Sequence, residues 1–135
     1  MDIEGIAREI VDSAIRVHTN LGPGMLESAY EACLAYELGK RGFAVKNQVP
    51  MPIRYDDMTL DVGYRLDLLV DDKVVVELKC VERLLPIHGA QLLSYLRAGD
   101  YRLGLLLNFN SVHLRDGMKR VINKRGHSAP VPGDA

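Results

Sequence analysis

The run Val74-Val75-Val76-Glu77-Leu78-Lys79-Cys80 places a carboxylate and an amine among branched apolar side chains. Asp67 sits the same way in Arg65-Leu66-Asp67-Leu68-Leu69. Side chains alternate across a strand, so Glu77 and Lys79 share one face. Whether Asp67 joins them depends on the turn. A two-residue loop at Asp71-Asp72 pairs Val70 with Lys73 and turns Glu77 away from Asp67. A three-residue loop, Asp71 to Lys73, pairs Val70 with Val74 and sets Asp67 opposite Glu77, with Cβ atoms about 5 Å apart. Like charges placed so repel, and the odd register makes sense when a cation lies between them. Hard oxygen donors with open positions suit Mg²⁺ or Mn²⁺. Lys79 would then orient a water or stabilise charge developing on a phosphate. The same residues also fit a solvated ion-pair cluster on a strand face, and their spacing alone does not separate the two.

The elements that must carry these residues can be read along the chain. Apolar residues recur at helical spacing from Ile3 to Leu21, with Asp2 as a cap, and Gly22-Pro23-Gly24 ends the run. A second helix is expected over Met25 to Arg41, with Leu26, Ala29, Tyr30, Cys33 and Leu34 on one face and Gly42 closing it. Residues 43–53 and 59–70 are β-like around an Asp56-Asp57 turn, and Val74 to Cys80 is a third β run. A short helix over Ile87 to Ala98 stops at Gly99. Leu103 to Phe109 barely alternates and reads as a strand buried on both faces. A hairpin is expected to pair Val112–Arg115 with Met118–Val121. The order α-α-β-β-β-α-β plus this C-terminal hairpin predicts an α/β fold, a mixed β-sheet flanked by helices. Residues 1–123 read as one domain and 124–135 as a loose polar tail.

Bulk properties narrow the function classes. The chain has 135 residues, 47% hydrophobic and 26% charged, the balance of a globular domain. Its apolar runs are too short to cross a bilayer, and the acidic, amphipathic start is unlike a signal peptide, so the expected address is cytoplasmic with no membrane contact. Cys33 and Cys80 read as reduced, core-lining thiols. The net charge of −1 weighs against a nucleic-acid partner, yet Arg115, Lys119, Arg120, Lys124 and Arg125 form a local basic stretch. His18, His88, His113 and His127 lack metal-ligand spacing and read as surface or capping residues. No nucleophilic triad, phosphate-binding glycine loop or dinucleotide fingerprint is present.

Two helices add residues to the strand pair. Glu27 and Tyr30 lie three apart on one edge of the second helix, and Gln91 and Tyr95 lie four apart on the third. Either pair alone fits an ordinary amphipathic helix. Together, Gly24-x-x-Glu27-x-x-Tyr30, Asp67, Glu77-Leu78-Lys79 and Gln91-x-x-x-Tyr95, in that order over roughly residues 5 to 122, resemble the GxxExxY family of the PD-(D/E)XK nuclease superfamily. Leu66 stands where superfamily members often carry proline, a change that leaves the carboxylate in place.

The resemblance implies a restriction-endonuclease-like core with the acidic strands at its centre. It implies that Asp67, Glu77 and the Leu78 carbonyl hold a divalent metal, Mg²⁺ or Mn²⁺, while Lys79 assists the water. Glu27 would be a further ligand or a water-holder. Gln91 would contact phosphate or support the site, and Tyr95 and Tyr30 would bind substrate. The activity implied is hydrolysis of phosphodiester bonds in DNA or RNA. A small, near-neutral chain offers little surface for gripping a duplex, so a homodimer or partner protein would complete it. A nuclease-fold binding module with weak or no turnover, and a structural homodimer, are the competing readings of the same residues.

Overall fold

A computed structural model describes residues 1–125. His127, and the expected tail beyond its first two residues, lie outside them. The elements run α1 (Ile3–Leu21), α2 (Glu27–Lys40), β1 (Val45–Pro50), β2 (Ile53–Tyr55), β3 (Met58–Leu60), β4 (Arg65–Val70), β5 (Val74–Lys79), α3 (Pro86–Gly99), β6 (Leu103–Asn108), a 3₁₀ turn (Leu114–Gly117) and β7 (Met118–Ile122). Asp2 caps α1 by accepting from the Gly5 N–H at 2.8 Å. The end of α2 is a Schellman motif: Phe43 N–H donates to the Leu38 carbonyl and Gly42 N–H to that of Gly39, with Gly42 at φ 93°.

One mixed sheet has the order β1-β4-β5-β6-β7, in which only β5 and β6 run parallel, joined by the α3 crossover. This is the expected α/β, restriction-endonuclease-like architecture. The sheet separates two apolar layers. α1 and α2 bury Ile6, Ile10, Tyr30, Leu34 and Leu38 against Leu68, Val76, Leu78, Leu105 and Leu107. α3 buries Leu92 and Leu96 against Leu69, Val75, Leu106 and Val121. β6 is buried along its whole length, as its lack of alternation predicts.

Several expectations are corrected. The two long β runs each split, and residues 53–60 form a separate, largely exposed hairpin inserted between β1 and β4. A C-terminal hairpin does close the sheet, but its arms are β6 and β7. Residues 112–115 do not pair with 118–121, because Leu114 turns into the core and starts the 3₁₀ turn. Leu26 and Cys33 fall off the buried face of α2, which runs through Tyr30, Leu34, Glu37 and Leu38. Cys33 is exposed and Cys80 half-buried. His18 is buried, with Nε2 2.7 Å from the Ser111 carbonyl; a carbonyl only accepts, so Nε2 carries the proton. His88 does cap a helix, accepting from the Leu85 N–H at 2.9 Å.

The decisive irregularity is Gln48 on β1, at φ 50°. For a non-glycine residue this left-handed conformation costs about 1–2 kcal/mol. It also inverts the alternation. Val45 packs with the α1–α2 layer, but Val49, which regular pleating would leave on the same face, packs with the α3 layer. On β4, Leu68 and Leu66 divide between the two layers in the same way. Regular pleating is thus broken on β1 and β4 at the Gln48–Asp67 position, while β5 and β6 keep theirs.

Candidate active site

The β4–β5 loop is the three-residue one. Val70 pairs with Val74, Leu69 with Val75 and Leu68 with Val76, as the odd register predicts. Asp71 and Asp72 accept the tight geometry at φ 52° and 55°, a region where aspartate is more tolerated than most residues. The loop is fastened to the neighbouring strand segment, Asp71 accepting from the Ala44 N–H at 2.9 Å and Asp72 from Lys46 Nζ at 2.6 Å.

Beyond Leu68↔Val76 the strands part, and side chains replace the ladder. Asp67 N–H donates to Glu77 Oε1 at 3.2 Å, and Leu78 N–H donates to Asp67 Oδ2 at 2.9 Å. A strand residue's N–H and C=O point to the same neighbour, so the Leu78 carbonyl also faces the opened side. The Lys79 carbonyl faces the other way and accepts from Phe109 N–H at 2.9 Å. Glu77 is 6% exposed and Asp67 half-buried. Burial first, and then the Asp67 charge, push the Glu77 carboxyl up to about 8, against the Asp67 N–H and Lys79, which pull it down.

Groups from both helical layers feel the charges at this point. Glu27, exposed at the first turn of α2, has its pKa raised by partial burial and by Asp67, and lowered by Lys79. From α3, the Tyr95 hydroxyl is raised by burial and by the charges of Glu77 and Asp67. Tyr95 also packs against Tyr64 with ring centroids 5.8 Å apart. The structure therefore puts Glu27, Lys79 and Tyr95 within electrostatic reach of Asp67 and Glu77. Gln91 is exposed one turn before Tyr95 and makes no hydrogen bond to them among the described residues.

Tyr30 stands apart. Its ring is fully buried and stacks on Phe109 with centroids 4.6 Å apart. Its hydroxyl donates to the Gly22 carbonyl and accepts from the Met25 N–H. A residue so enclosed cannot touch a substrate, and that expectation is corrected: Tyr30 clips the α1–α2 connection, which delivers Glu27. Two residues escaped the sequence reading. Gln48 Nε2 lies 2.7 Å from Glu31 Oε1 and 3.5 Å from Asp67 Oδ1. Glu31 follows Glu27 by one turn, a spacing that could have flagged it; nothing in the sequence pairs Gln48 with Asp67.

The donor set fits a hard divalent cation. Asp67 and Glu77 each commit one oxygen to a backbone N–H, the second Asp67 oxygen has only the Gln48 amide at 3.5 Å, and the Leu78 carbonyl adds a third oxygen. Among the described residues no three His, Cys, Asp or Glu side chains form a ready-made cage. Mg²⁺ does not need one, since it binds through one or two carboxylates and retains waters. A groove between α1 and the β6–β7 pair, lined by Ala7, Val11, Leu105 and Met118, lies away from these residues. No described helix is long and apolar enough to cross a membrane. No curated protein and no solved structure matches the chain. One family model does, over residues 4–121, a span that holds every element around the carboxylates: the chain belongs to the PD-(D/E)XK nuclease superfamily.

Proposed function

We propose that this protein is a Mg²⁺- or Mn²⁺-dependent nuclease of the GxxExxY branch, hydrolysing phosphodiester bonds in nucleic acid. Nucleases of the superfamily generally use divalent metals. The observation that carries the reading is the Asp67–Glu77 junction: two carboxylates at the point where a ladder opens, one of them buried against the charge of the other. Asp67, Glu77 and the Leu78 carbonyl would hold the metal, which when bound would neutralise phosphate charge and acidify a water. Lys79, next on the same face, orients that water or meets charge developing on the phosphate. Glu27 works from outside as a water-holder, since among the described residues no three carboxylates stand close enough to share one ion. Tyr95 and the exposed Gln91 line the approach of the substrate. The protein works in the cytoplasm, where its two unpaired cysteines stay reduced. A second copy or a partner protein extends its limited basic surface.

The test combines calorimetric Mn²⁺ titration with cleavage assays on labelled single- and double-stranded DNA and RNA. Wild-type protein should bind Mn²⁺ and cut at least one of these. Asp67→Asn and Glu77→Gln should lose metal binding. Lys79→Ala should keep it, while cleavage falls about 100-fold or more. Wild-type protein that binds no metal would overturn the reading; metal binding without cleavage would make the protein a nuclease-fold binding module.

A further inference from the structure

Five non-glycine residues among those described have positive φ, and four are aspartates in turns or at a helix end: Asp56, Asp71, Asp72 and Asp100. The fifth, Gln48, lies inside a strand. It faces Asp67 at the one position that the β1–β4 pairing passes over, between Asn47↔Leu68 and Val49↔Leu66. A glycine would hold this backbone without steric cost. What glycine lacks is the amide. The Gln48 Nε2 carries two protons and stands between two carboxylates, 2.7 Å from Glu31 Oε1 and 3.5 Å from Asp67 Oδ1. The Asp67 oxygen it faces is the one that Leu78 leaves unused.

We propose that Gln48 is a positioning residue of the site, its amide bridging Glu31 and Asp67 so that Asp67 offers Oδ1 in a fixed direction. Glu31 thereby becomes an outer carboxylate that anchors the amide. Asp67 is then held from both sides of its strand, through Oδ2 by the β5 backbone and through Oδ1 by β1. The strained backbone at Gln48 is what brings an exposed strand residue over the carboxylate. Glu31 lies one turn beyond Glu27 on α2, so the same helix supports the site at two levels.

The proposal rests on the metal-dependent reading above, and its test separates the two. Gln48→Gly keeps the backbone conformation and removes the amide. It should melt at or above the wild-type temperature, yet bind Mn²⁺ about 10- to 100-fold more weakly, with cleavage reduced alongside. Glu31→Gln retains an acceptor for the amide and should stay near wild type, whereas Glu31→Ala should resemble Gln48→Gly. If Gln48→Gly binds Mn²⁺ as tightly as wild type while wild type binds and cuts, the positioning role is overturned and the nuclease reading stands. If Gln48→Gly loses thermal stability in step with metal affinity, Gln48 is a structural residue and the proposal also fails. Wild-type protein that binds no Mn²⁺ overturns both.

Discussion

Glu77 binds its proton more tightly in the folded protein than in the unfolded chain, because burial and Asp67 raise its carboxyl from 4.5 to about 8. The sign of the linkage follows. Between these values the folded state holds more protons than the unfolded one, so stability falls as pH rises. Metal-free protein should therefore melt higher at pH 5 than at pH 8, and Glu77→Gln should flatten that part of the profile and raise the melting temperature at pH 8. Scanning calorimetry in EDTA checks this, and a wild-type profile that does not fall over the interval would contradict it. Mn²⁺ should restore stability at pH 8, where the carboxylate is free to accept it. The conflict behind these effects was readable in the sequence, since a carboxylate inside an apolar run must be paired, bind a ligand or take up a proton. Gln48 was not readable. A glutamine in a polar strand carries no mark of a left-handed backbone, and its partners come from α2 and β4, far away along the chain.

At the scale of elements, the α1–α2 connection shows how a core residue can serve a site it never touches. Gly22 and Gly24 bend the chain with φ of 71° and 99°, and the Tyr30 hydroxyl ties the bend to α2 from both sides. Tyr30→Phe keeps the ring stack on Phe109 but strands the Met25 N–H and the Gly22 carbonyl. It should cost about 1–3 kcal/mol of stability. Cleavage should fall while Mn²⁺ affinity holds, because Glu27 shifts and the metal ligands do not. Denaturant melts and calorimetry check both halves; unchanged stability would mean that the clip is idle. Helix ends were legible because their rules are local, caps and glycines, whereas the β4–β5 turn could be placed but its length followed only from asking what could sit between two carboxylates. The pairing of β7 was not. Met118–Val121 has two candidate partners of strand character, and the choice of β6 is settled by Leu114 entering the core, a tertiary effect.

Across the whole molecule the two layers are unequal. The α1–α2 side buries a large apolar cluster, whereas α3 rests on a smaller one centred on Leu92 and Leu96. α3 approaches β6 closely over Gly104, where an added Cβ would lie 3.0 Å from the Leu92 side chain. Leu92→Ala should cost about 2–5 kcal/mol. Hydrogen exchange should show α3 opening before α1 in wild-type protein; equal protection of the two helices would argue for a single cooperative unit. Tyr95, which α3 carries, would leave the site during such opening. The inserted β2–β3 hairpin has a different consequence. Its stem is closed by Pro50↔Arg65 and by the Met51 N–H on the Tyr64 carbonyl at 2.8 Å, so the ends of segment 52–63 already meet. In engineering terms this is a graft point. Doubling the length of a flexible loop costs only about 0.6 kcal/mol, so cassettes of other lengths and chemistries can be exchanged here without moving the carboxylates. The present cassette displays Tyr55, Met58 and Val62, and its stem ends on Tyr64, the residue that packs on Tyr95; exchanging it should alter what approaches the site and leave the chemistry in place.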